Sequence, residues 1–342
     1  MKKYLSFVFG LMVLFFLALP CRAADKTYTI EFLQVAKIEA FQVTYDSFIN
    51  ELAKSGLVVG KNLKVNRVIL EYNMEKAGFF DKMGLLFKIR SEAGRIADAK
   101  PDLAVTIGTP ATKYGRDKIT GAGIPLVFSA VAMPVAAGCK SLTEGGPAVT
   151  GATLYMDMKN ALKIVRAAFP TLKTIGIVYS DDDSAIAHVK DATSNGPSFG
   201  FNFISKQVNK KDDIIPHLKS LREQGAEAYI IPLDTYYGIR DFETVNDMVE
   251  YTRSNKIPVI SFAVQSTKGA VLAVGTGFDT VGKFAAQNAA KILLEGKKPE
   301  SLPIRQQEDL KIVVDVERMQ ALGIQIPMGI LQLAKPASDQ GR

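Results

Sequence analysis

Short apolar runs alternate with longer stretches of helical spacing along almost the whole chain, and no other feature narrows the possible folds as much. Residues 28–35 alternate into a strand, and residues 40–54 carry Phe41, Tyr45, Phe48, Ile49 and Leu52 on one helix face. A strand at 63–70, a helix at 79–99, a strand at 103–107, a helix from Pro110 and a strand at 125–128 complete a first series. Gly145, Gly146 and Pro147 interrupt it, and residues 149–152 read as a segment crossing to a second series. That series runs through a helix at 158–169, a strand at 174–179, a helix at 184–195 and a strand at 201–206. It continues with a helix at 214–224, a strand at 228–232, a helix at 242–254 and a strand at 258–262. A strand at 270–274, a helix at 280–295, a strand at 311–314 and a helix at 316–322 follow.

Repeated strand–helix order predicts an α/β protein with parallel sheets and helices on both faces, here in two similar halves. The remainder after Phe262 is too short for a third domain. It completes both sheets, so the chain crosses between the halves more than once. Ligands of open α/β sheets bind beyond the carboxyl ends of the strands. Two such sheets facing each other make a cleft.

The segment PDLAVTIGTPAT at 101–112 is the candidate for one cleft wall. Glycine permits close backbone approach to a ligand. Thr109 stands where an N-cap belongs, and Pro110 suits the first helical turn. Amides at such a helix start form a site for a carboxylate or another anion.

The amino terminus predicts export. Lys2 and Lys3 precede an apolar run at 5–19, Pro20 breaks it, and Cys21-Arg22-Ala23 supplies a cleavage site after Ala23. The run is short of the roughly 20 residues of a membrane span. A periplasmic protein is expected; lipidation at Cys21 is the alternative, for which Leu19 and Pro20 are poor neighbours. Losing the leader removes Lys2, Lys3 and Arg22, leaving 39 of 42 basic residues against 35 acidic ones. No basic run interleaved with aromatic residues occurs, so nucleic acid is not an expected partner. Cys139 then stands alone, which excludes an intrachain disulfide and suggests a small buried filler.

Enzyme signatures fail. GLVVGK at 56–61 is one residue short of a phosphate loop and is followed by Asn62. Gly275-Thr276-Gly277 lacks the third glycine of a dinucleotide fingerprint, and no G-x-S-x-G elbow occurs. Two histidines and one retained cysteine do not make a common zinc site. Asp181-Asp182-Asp183 lacks the spacing of a calcium loop and reads as a solvated turn capping the helix near Ser184. No cofactor, metal or catalytic group is expected.

Several blocks, in order, carry a family resemblance. They are Gly60-Lys61-Asn62 before a strand, PDLAVTIGTPAT, IPLVFSAVAMPVAAG at 124–138, VTG at 149–151 and FPTLKTIGIVYS at 169–180. GKFAAQNAAKILLEGKKPESLPI at 282–304 and LGIQIP at 322–327 complete the set. The chain resembles the periplasmic substrate-binding proteins of ABC importers, in the branch that includes tryptophan- and tyrosine-type binding proteins. The resemblance implies a type I binding fold: two Rossmann-like lobes joined by a three-segment hinge. Lobe 1 would comprise 24–149 and about 265–306, lobe 2 150–264 and about 307–333, with a flexible tail at 334–342. It implies a monomer that closes around a small, amino-acid-like or aromatic ligand and delivers it to a membrane permease and ATPase. A sensor for a membrane kinase, or a secreted enzyme with Asp234 and Asp279 as acid and base, are the alternatives.

The resemblance also implies site residues. Gly108, Thr109, Ala111 and Thr112 would hold the ligand's anionic group, with Ser129 and Ala130 on the same wall. Ser180 and Ser184 would add polar contacts from lobe 2. Asp234 or Asp279 would meet a ligand cation, and Phe262 and Phe278 would line the side-chain pocket. Gln34 opens the first loop, Gln34-Val35-Ala36-Lys37-Ile38-Glu39, where relatives often carry a His-Pro pair. Relatives also often show Asn-Ser near position 184, whereas here three aspartates precede Ser184.

Overall fold

The computed structural model describes residues 26–71, 79–264, 268–325 and 327–336. The leader at 1–23, with Cys21, and the last residues of the expected tail lie outside them. The first sheet contains β1 (Tyr28–Val35), β2 (Leu63–Leu70), β3 (Leu103–Ile107), β4 (Leu126–Val131), β5 (Val149–Thr153) and β11 (Arg305–Gln306). Its order is β11-β5-β4-β3-β1-β2, parallel throughout. The second contains β6 (Thr174–Tyr179), β7 (Asn202–Gln207), β8 (Ala228–Ile231), β9 (Val259–Ser261), β10 (Leu272–Gly275), β12 (Lys311–Val314) and β13 (Lys335–Pro336). Its order is β13-β12-β10-β9-β8-β6-β7, and only the β10–β12 pair is antiparallel.

Helices cover both faces of each sheet because their apolar stripes have nowhere else to go. In the first lobe, α1 (Glu39–Lys54) and α8 (Phe278–Glu295) bury Phe48, Leu52, Val281, Ala285 and Ala289 against one face. A Cβ at Gly282 would collide with the Thr44 carbonyl, so this glycine lets the two helices close on each other. On the other face, α2 (Phe79–Ala99) and α3 (Thr109–Gly121) bury Ile89, Ala93, Ala111 and Ile119. Cys139 is buried in that cluster, and burial pushes its thiol up, as a structural filler requires. In the second lobe, α4 (Met158–Ala168) and α5 (Asp183–Asn195) take one face with α9 (Val316–Ala321) and α10 (Met328–Leu333). The opposite face belongs to α6 (Ile215–Glu223) and α7 (Glu243–Ser254).

The chain passes between lobes three times: at 154–157 after β5, at 276–277 between β10 and α8, and at 307–310 between β11 and β12. Three expectations are corrected. Residues 149–153 form β5 of the first sheet, bonded to β4, so the first crossing comes after Thr153. β10 lies between β9 and β12 in the second sheet, so only the part from α8 to β11 returns to the first lobe. The expected tail begins with Lys335–Pro336 paired to Val313–Val314, because the open edge of β12 offers backbone partners.

Candidate functional site

The carboxyl ends of β3 and β4 build one wall. Gly108 has φ +90, and a Cβ there would lie 2.9 Å from Cζ of Phe41. Only glycine suits both the conformation and the ring against it. Its N–H donates to the Ser129 carbonyl at 2.9 Å, which ties the loop to β4. Gly108, not Thr109, is the N-cap of α3, and no side chain caps this end. Amides of the first turn, those of Thr109 and Ala111, therefore lack a helical partner and carry the positive end of the helix dipole. Ser129 lies in register with Ile107 and is buried, and among the described residues its Oγ has no hydrogen-bond partner. Ala130 follows in the left-handed region, φ 55, at an irregularity in the β4–β5 pairing. Unpaired donors beside a helix start suit an anion.

Two residues expected on this wall are committed elsewhere. The Thr112 hydroxyl lies 2.8 Å from Thr106 Oγ1 and donates to the Gly108 carbonyl at 3.0 Å, so it fastens helix to strand. Gln34 donates to the Ala36 carbonyl at 2.7 Å and accepts from Arg67 at 2.7 Å. Arg67 in turn stacks over Tyr45, 3.9 Å from the ring centre. Ala111 is fully buried and offers only its backbone.

The second lobe presents a closed network. Asp234 accepts from Ser180 N at 2.6 Å, Ser180 Oγ at 2.7 Å and Tyr236 N at 2.9 Å. Asp182 accepts from Thr235 N at 3.0 Å, from the Thr235 hydroxyl and from Lys210. Lys210 also donates to Thr235 Oγ1 at 2.8 Å. Burial pushes the Asp234 carboxyl up, and the nearby Asp182 charge adds to this. Burial also acts to raise Asp182, but Lys210 and Thr235 outweigh it and hold the group below its ordinary value. The expected solvated turn is thus corrected: Asp182 turns inward, because Lys210 and Thr235 supply the partners that water would. Asp234 and Ser180, expected as ligand contacts, hold each other. Ser184 is half-buried in the first turn of α5. Its neighbour Asp183 meets Lys113 of α3 at 2.9 Å, an ion pair between the two lobes.

Aromatic residues gather where the chain crosses. Phe41 and Phe278 have ring centres 6.5 Å apart, and Phe262 and His188 stand edge to face at 6.5 Å. Leu233 N donates to His188 Nδ1 at 3.3 Å, and burial pulls the imidazole down to about 4, so the ring is neutral. Leu233 itself packs on the first-lobe core. Phe262 and Phe278 are both buried, Phe262 in the core of the second lobe and Phe278 in that of the first. Asp279 is not available to an amine. Burial acts to raise its carboxyl, and Lys311 with Lys283 outweighs that and holds it down. Asp234 and Asp279 sit in separate networks, one with Ser180 and Tyr236, the other with Lys283 and Lys311. Phe41, Lys113 and His188 join the expected residues at this junction, and the sequence signals only a helix face for Phe41 and nothing local for the other two.

A family model described as ABC transporter substrate binding protein matches residues 33–337. A tyrosine-binding protein of Clostridioides difficile is 24% identical over 310 residues, covering 88% of this chain and 83% of the relative. A crystal structure of a conserved domain protein from Vibrio cholerae superposes with a TM-score of 0.74 at 23% identity, covering 91% of this chain and 99% of that one. An ABC domain from Streptococcus pneumoniae in complex with L-Trp superposes with a TM-score of 0.71 at 22% identity, covering 90% and 99%. These structures share the fold.

Proposed function

Since the chain belongs to the ABC transporter substrate-binding protein family, we propose that it is the extracytoplasmic receptor of an importer and closes its lobes around an aromatic carboxylate of the tyrosine or tryptophan kind. The observation that carries this reading is the unpartnered Ser129 Oγ beside the uncapped start of α3. A ligand carboxylate there completes the hydrogen bonds of a buried hydroxyl and meets the positive end of the helix dipole. Phe41, Phe262 and Phe278 supply apolar contact for a ring. The relatives' tyrosine and L-Trp support the same ligand class. Three aspartates precede Ser184 on the second lobe, and unshielded they would repel a carboxylate. Lys210 on Asp182 and Lys113 on Asp183 remove much of that repulsion. Micromolar affinity asks for only about 8 kcal/mol, which apolar contact and a few charge-assisted hydrogen bonds supply.

Calorimetry and thermal shift with L-tyrosine, L-tryptophan, L-phenylalanine and their amino-free acids are the test. Binding of at least one aromatic carboxylate is expected, with a smaller radius of gyration in solution scattering when bound. Ser129→Ala is expected to weaken binding about tenfold without lowering thermal stability. A panel with no binder, or an affinity indifferent to Ser129→Ala, overturns the reading.

A further inference from the structure

Besides Ser129, one other buried hydroxyl stands among the side-chain atoms that meet no hydrogen-bond partner within the described residues: Oγ1 of Thr276, a residue only 5% exposed. A buried hydroxyl left unpaired is costly, and native structures retain few of them. Thr276 lies on the second crossing, between β10 and α8. Glycines flank it. A Cβ at Gly275 would sit 2.8 Å from the Phe262 carbonyl, and one at Gly277 would collide with Lys311. Neither neighbour carries a side chain, so Thr276 supplies the sole side-chain polar atom of this three-residue segment.

Its surroundings differ from those of Ser129. Ser129 stands beside the amides of α3, where charge is accommodated. Thr276 stands on a segment pressed against the end of β9 at Phe262 and running directly into Phe278, with His188 edge-on to the first ring and Phe41 beside the second. By strand alternation it continues the side of β10 on which Leu272 and Val274 join the core cluster that includes Phe262. Ser129 is thus set among backbone donors that suit a carboxylate, and Thr276 beside aromatic side chains that suit a ring.

We propose that Thr276 is a ligand-contacting specificity residue that selects aromatic ligands bearing a hydrogen-bonding group on the ring, a phenol hydroxyl or an indole N–H, over plain phenyl ligands. The proposal rests on the binding function argued above. A site with a buried hydroxyl to satisfy discriminates strongly against a ligand that leaves it unpaired, whereas an apolar pocket discriminates weakly against an extra hydroxyl.

The test is titration calorimetry of the full chain with L-tyrosine, L-tryptophan and L-phenylalanine, on the wild type, Thr276→Val and Thr276→Ser. The wild type is expected to bind tyrosine or tryptophan at least about tenfold more tightly than phenylalanine. Thr276→Val is expected to bring the preferred ligand down to the level of phenylalanine while phenylalanine changes by less than about twofold, and Thr276→Ser to restore the preference. Melting curves of both variants check the fold. A Thr276→Val protein that keeps the wild-type ratio, or loses all three ligands equally, overturns the proposal. A wild type that binds none of the three overturns the Thr276 proposal, and the proposed function falls as well only when the amino-free acids also fail to bind.

Discussion

Around Gly108, Thr109 and Ser129 the first lobe leaves polar atoms without partners among the described residues, whereas Ser180, Asp182 and Asp234 of the second lobe spend theirs on one another and on Lys210, Thr235 and Tyr236. The difference separates recognition from rigidity. Open donors are poised for something outside the protein and contribute little to folding. Closed networks hold strand ends and turns in place and offer little to a ligand. Substitutions on the two sides should accordingly fail in different assays.

The largest effect is expected on the closed side. Asp182→Ala removes the carboxylate that Lys210 and the Thr235 amide and hydroxyl share, and losing a partly buried ion pair together with two charge-assisted hydrogen bonds costs about 3 kcal/mol. Urea denaturation measures it, and a loss under about 1 kcal/mol would erase the contrast. His188 comes next. Its folded-state value is depressed to about 4 from an ordinary 6.5, so the unfolded chain takes up the proton first on acidification. Its contribution is intact above about pH 6.5, declines through the interval, and is lost below about pH 4, by up to roughly 3 kcal/mol. His188→Gln, which keeps an acceptor for Leu233 N, is expected to flatten that part of the stability profile relative to wild type. The raised Asp234 carboxyl acts in the opposite sense, so the difference between the two proteins is the quantity to plot.

On the open side the effects shift to binding. Gly108→Ala places a methyl against Phe41 in a left-handed backbone, with an expected cost of about 2 kcal/mol in stability and a ligand affinity at least tenfold lower. Equal affinity in calorimetry would detach this loop from the site. The smallest effect belongs to Lys113→Met, which cuts the partly exposed ion pair to Asp183. It is expected to cost under about 1 kcal/mol and to lower affinity a few-fold, less at high salt, with folding unchanged. A large loss of folding stability would mean that Lys113 belongs with the closed network.

Much of the fold was legible because strand and helix periodicity is local. β1, β2, β3, β6 and β12 begin and end where alternation and breakers put them. Sheet membership was harder. β5 and β10 are short, buried runs, and their lobes are decided by partners distant in sequence, β4 for one and β9 with β12 for the other. The site divided in the same way. The positions of Gly108 after β3 and Ser129 in β4 were readable from the strand pattern. The inward turn of Asp182 was not, since its partner Lys210 lies 28 residues away. Likewise Asp279 looked free until the third crossing brought Lys311 beside it.

That pairing reaches further than the carboxylate it neutralises. Asp279 stands in the first turn of the helix that follows the second crossing, and Lys311 begins the strand that follows the third. The amide of Gly277 adds a 3.0 Å bond to Gln307 between the same two segments. Two strips of backbone fastened side by side define a line. A rigid rotation of one lobe against the other that keeps both fastenings must run close to that line, and twisting or sliding would tear them. Under the proposed closure, a joint with many degrees of freedom is thereby reduced towards a single axis, like a door hung on one pin, and the wall carrying Ser180 and Asp183 would meet the wall carrying Ser129 along only one arc.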